Sequence, residues 1–74
     1  MRIISKNRNI DVPYERIALF EYQCRICASF GYHDDGDLFI GEYKTKERCI
    51  DIMSEIRQNA NSGEPYYYMP KEWL

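Results

Sequence analysis

Cys24-x-x-Cys27 is the spacing that most invites chemistry in this 74-residue chain. A zinc site needs both thiolates turned toward one ion, whereas residues three apart in a strand point to opposite faces. A thioredoxin-like pair needs its first Cys at a helix N-terminus inside a βαβ frame. The surrounding string, CRICASF, is strand-like, so neither arrangement is expected. Cys49 and His33 would complete a three-Cys, one-His set only if the fold gathered all four. Cys24, Cys27 and Cys49 are therefore read as small apolar residues, reduced and without metal. His33-Asp34 superficially matches metal-dependent phosphohydrolases, but those use several His and Asp residues and this chain has one His. Asp34-Asp35-Gly36-Asp37 lacks the alternating acidic order and terminal Glu of a calcium loop. Ser5, Ser29, Ser54 and Ser62 have no elbow motif around them, and no glycine pattern cradles phosphate. The expectation is a non-catalytic protein with no cofactor.

A second constellation is more informative. If Arg16 to Tyr22 and Cys24 to Phe30 are strands, alternation sorts their side chains. Ile17 and Leu19 join Cys24, Ile26, Ala28 and Phe30 on one face. Arg16, Ala18, Phe20 and Tyr22 join Arg25, Cys27 and Ser29 on the other. One helix cannot cover both faces. The uncovered one combines aromatics with two arginines, the enrichment typical of binding surfaces. Ala18, Phe20 and Cys27 are expected at a self-association interface, giving a homodimer or larger assembly. Arg16, Tyr22 and Arg25 are expected to hold an anionic or planar ligand beside it.

The elements that must position these residues follow from local pattern. Arg2 to Ser5 and Ile10-Asp11-Val12 read as a hairpin around Lys6-Asn7-Arg8-Asn9, and Pro13 ends the pairing. The link at Tyr22-Gln23 has no Gly or Asn. Gly31 to Asp37 is a loop, and Leu38 to Tyr43 is a further strand in which Gly41 suggests a bulge or a close approach. Thr45 should cap a helix whose apolar face is Cys49, Ile52, Met53, Ile56 and Ala60, with Gly63 closing it. Tyr66-Tyr67-Tyr68, between Pro65 and Pro70, belongs at a sheet edge. The expected fold is a single α+β domain over 1–74: an antiparallel sheet of four or five strands with one amphipathic helix packed on one face.

Composition bounds the partners. Ten Lys+Arg against twelve Asp+Glu give a formal charge of −2, which argues against a general nucleic-acid binder. The same mild balance is too weak for a DNA mimic. No apolar run approaches a membrane span. The start, MRIISK, has no long apolar stretch of a secretory signal. With an odd cysteine count, a reducing cytoplasm is the expected location.

The opening Met1-Arg2-Ile3-Ile4-Ser5 followed by Ile10-Asp11-Val12-Pro13-Tyr14-Glu15 resembles a set of small proteins encoded by phages and prophages of Firmicutes. Gly41-Glu42-Tyr43-Lys44-Thr45-Lys46-Glu47-Arg48 matches that family's step into its helix, with Lys44 where Ser is usual. Tyr68-Met69-Pro70 matches its aromatic-Pro ending, reached here after a short segment. The resemblance implies a viral or prophage origin and an accessory role, and carries no functional residues with it. The expected partners are a second copy of the chain and either a host defence protein or a small nucleotide signal. The alternative expectation is a regulator that binds single-stranded nucleic acid.

Overall fold

The computed structural model describes residues 1–31 and 36–72. The motifs at His33-Asp34 and Asp34-Asp35, and Trp73, lie outside the described residues.

Among the described residues there are six short strands and one α-helix: β1 (Arg2–Ile4), β2 (Asp11–Pro13), β3 (Ala18–Tyr22), β4 (Arg25–Ser29), β5 (Leu38–Glu42), α1 (Lys46–Asn61) and β6 (Tyr66–Tyr68). The α+β class is as expected. The single antiparallel sheet is not. There are two three-stranded sheets, ordered β2-β1-β6 and β3-β4-β5. In the first, β1 runs antiparallel to β2 but parallel to β6. The division begins at Pro13, which has no N–H to continue a ladder. A 3-10 turn over Tyr14–Arg16 follows and redirects the chain. The free edge of β1 is then taken by β6, the tyrosine run expected at a sheet edge.

The β1–β2 turn closes with Arg8, not an Asn, in the left-handed region, at φ 65°. The Ser5 hydroxyl accepts the Ile10 amide at 3.0 Å and donates to Asn9 Oδ1 at 3.1 Å. The Arg8 guanidinium reaches across to the Met69 carbonyl at 2.8 Å and so ties this turn to the end of β6.

The second sheet is an antiparallel meander. Gln23 and Cys24 link β3 to β4 with φ of 51° and 63°. Two consecutive positive φ values are the mark of a type I′ hairpin turn, which normally takes Asn-Gly. Cys24 therefore stands in the turn, not on the helix-facing side of a strand. Its N–H donates to Glu21 Oε2 at 2.9 Å, and its carbonyl accepts the Tyr43 amide at 2.9 Å. Along β4 and β5, Ile26 pairs with Gly41 but Cys27 pairs with Phe39, so Ile40 is an extra residue. This is the bulge suggested by Gly41. The Ile40 carbonyl accepts the Lys6 amide at 2.8 Å, joining the two sheets.

Helix α1 starts where expected. Thr45 Oγ1 accepts the Arg48 amide at 3.1 Å. It ends in a Schellman arrangement: Gly63 (φ 78°) donates its N–H to the Ala60 carbonyl, and Glu64 to that of Asn59. Cys49, Ile52 and Ile56 are its buried face. They meet Ile3, Val12, Ile26, Ala28, Ile40, Tyr43, Tyr67 and Met69 in one core drawn from both sheets. Ile17 and Leu19 flank this core as expected.

Candidate functional site: the outer face of the second sheet

The register of β3 and β4 pairs Ala18 with Ser29, Phe20 with Cys27 and Tyr22 with Arg25. These are the residues assigned by alternation to the uncovered face. Helix α1 packs against the opposite side of β3 and β4, where Leu19, Ile26 and Ala28 lie. β5 adds Phe39 to the outer face, opposite Cys27. Tyr22 and Phe39 are the most open large residues here, at 54% and 55% exposure.

Two expected members do not take their assigned places. Cys27 is fully buried and offers no surface to a partner. It lies in the central strand, paired with Phe20 on one side and Phe39 on the other. Burial pushes its pKa up, which keeps it a neutral thiol. Arg16 is the last residue of the 3-10 turn and precedes β3. The Ile17 amide bonds back to the Tyr14 carbonyl, which holds Arg16 outside the strand. It stands six residues from Tyr22, roughly 20 Å of extended chain. Arg25 sits beside Tyr22 at the far end of the hairpin, so Arg16 and Arg25 do not share a site within one chain. Ala18 and Phe20 remain on the face, Ala18 exposed and Phe20 half-buried.

Around Arg25 the structure gathers residues that sequence alternation did not bring in. The guanidinium carbon lies 5.2 Å from the centre of the Phe39 ring. Among the described residues its ion-pair partner is Glu42, with Nε to Oε2 at 3.9 Å, beyond hydrogen-bond reach. Lys6 Nζ donates to the Glu42 carbonyl at 2.6 Å and sits 4.7 Å over the Tyr43 ring. Tyr43 is itself buried, with its hydroxyl donating to the Pro70 carbonyl at 2.8 Å. The signal in the sequence was Gly41. The bulge beside it sets Phe39 and Glu42 on the outer face while Ile40 turns into the core.

All three thiols are free and sit on different elements. Cys24 is in the turn, Cys27 on the outer side of β4 and Cys49 on the core side of α1. Among the described residues no three His, Cys, Asp or Glu side chains are grouped to hold a metal ion. Among the described residues no helix is long and apolar enough to cross a membrane.

The chain matches no family model, no curated protein and no solved structure.

Proposed function

We propose that this protein is a non-catalytic binding module whose working surface is the outer face of β3–β4–β5. One observation carries the reading: the helix covers only one side of this sheet, and the other side holds Tyr22 and Phe39 more than half exposed around Arg25. Aromatic rings beside an arginine are the residues that most often dominate binding energy. Placing the module among phage or prophage accessory proteins of the host cytoplasm is supported by its MRIIS…DVPYE opening. In that setting it counters host defence by engaging a defence protein or sequestering a nucleotide signal.

The first occupant of the face is a second copy of the chain. Arg25 and Glu42 lie side by side on it, so a two-fold pairing can set each arginine against the other copy's carboxylate. Five-residue strands three abreast make a patch of roughly 17 by 14 Å. That is small beside the roughly 800 Å² per partner of a stable complex, so the dimer is weak and transient.

The test is phage plating on a host that expresses the chain and carries a defence system. The native chain raises plating, and Tyr22→Asp and Arg25→Ala, checked for folding by circular dichroism, lose the effect. The helix-surface variant Ile50→Asp keeps it. Unchanged plating across a panel of defence systems contradicts the counter-defence role.

A single-strand nucleic-acid reading has one observation in its favour. Arg8–Tyr68 and Arg25–Phe39 each place a cation over an exposed ring, the pairing of groups that tracks a single strand. It requires binding that weakens steeply with salt.

A further inference from the structure

The turn between β1 and β2 does not lie flat against the second sheet. Between them is a groove of about 330 Å³, walled by Lys6, Asn7 and Asn9 on one side and by Arg25, Phe39 and Glu42 on the other. That volume is at the lower end for pockets that enclose small molecules. Resting on the binding-module reading, and naming its ligand class, we infer that this groove binds a small planar anion: a ring system carrying a phosphate.

Three features support this. First, the groove carries two cations and one carboxylate. Among the described residues the Arg25 guanidinium makes no hydrogen bond, and the carboxylate paired with it, Glu42, is 3.9 Å away. A fork of N–H donors in that state suits an oxyanion that accepts two parallel bonds. Second, Phe39 is 55% exposed with Arg25 over its ring. A second planar group can extend that stack. Third, the walls are fixed. Ser5 holds the turn through Ile10 and Asn9, and the Lys6 amide is bonded to the Ile40 carbonyl at the bulge. Ordering the groove therefore costs a ligand little. Glu42 opposes the ligand, because its carboxylate, 3.9 Å from Arg25, repels an incoming phosphate.

Adenosine monophosphate is the probe, with inorganic phosphate and adenosine as separate arms. Binding is followed by amide chemical shifts in the full chain. The nucleotide should bind at millimolar or lower concentration, moving the amides of Lys6, Arg25, Gly41 and Glu42. Inorganic phosphate and adenosine should each bind about tenfold more weakly. Arg25→Ala should weaken the nucleotide by about tenfold or more, and Phe39→Ala should reduce it to the level of inorganic phosphate. Glu42→Gln should tighten it, a gain that general damage to the fold does not produce. The inference is overturned by a flat nucleotide titration, by equal binding of nucleotide and inorganic phosphate, or by full affinity in Arg25→Ala. None of those results changes the plating outcome for Tyr22→Asp, which judges the surface separately.

Discussion

Tyr43 joins the core to the groove. Its ring lies under Lys6, its hydroxyl is bonded to the Pro70 carbonyl, and burial pushes its pKa from 10 up to about 12. Tyr67 shifts the same way, through burial and its 2.7 Å bond to Glu55 Oε1. A phenol with a raised folded pKa contributes stability that is complete below pH 10, where folded and unfolded chains both hold the proton. Between pH 10 and 12 the unfolded chain releases it and the folded chain does not, so that stability is lost. For Tyr43 the loss is about 3 kcal/mol. Urea unfolding midpoints should therefore fall steeply above pH 10, with the phenolate absorbance of two of the seven tyrosines appearing only on unfolding. Tyr43→Phe should lower stability at neutral pH by about 1 kcal/mol through the carbonyl left without its donor. It should also flatten part of the alkaline fall. Glu72 works at the acid end. Its bond to Arg48 holds its pKa below the usual value, so that contact is lost as pH falls through the lowered pKa.

At the scale of elements, the helix was legible down to its caps because its signals are local. Thr45, the Cys49–Ile52–Ile56 stripe and Gly63 each act within one or two turns. The β3–β4 turn was not legible, because Gln23-Cys24 adopts a conformation that its residue types disfavour. Replacing the pair by Asn-Gly should raise stability by about 1 kcal/mol, read from the denaturation midpoint. Gly41 was readable as an anomaly but not as a position. A Cβ there would meet Tyr43 Cε2 at 2.8 Å and the Met69 methyl at 3.1 Å. Gly41→Ala should cost about 1–3 kcal/mol as the buried tyrosine gives way. Unchanged stability would mean that the bulge relaxes freely. Phe39 and Lys6 escaped the sequence reading of the site for this reason: a one-residue bulge inverts the alternation, and a turn has no period to read.

For the whole molecule, the expectation of one sheet failed at its edges. Alternation tells which side of a strand is buried, not which strand lies next to it. The parallel pairing of Ile3 with Tyr67 joins opposite ends of the chain, and no local pattern encodes it. The sides taken by Leu19, Ile26 and Ala28 and by Phe20, Tyr22 and Arg25 were legible nonetheless, because alternation suffices within β3 and β4; Phe30, expected on the helix-facing side, follows the end of β4 and is 44% exposed. What covers the open face in solution is a property of the entire surface. The small dimensions of the patch predict association that is undetectable at low micromolar concentration and grows toward millimolar. Tyr22→Asp should abolish that concentration dependence in sedimentation velocity without altering the fold.

The most direct measurement is a dilution series of amide chemical shifts from millimolar to micromolar protein. A working surface on β3–β4–β5 predicts that the shifts that move belong to Phe20, Tyr22, Arg25 and Phe39. The solvent side of α1, at Lys46, Ile50 and Arg57, should stay still. Movement confined to α1 or to β6, or no movement at any concentration, would contradict the account.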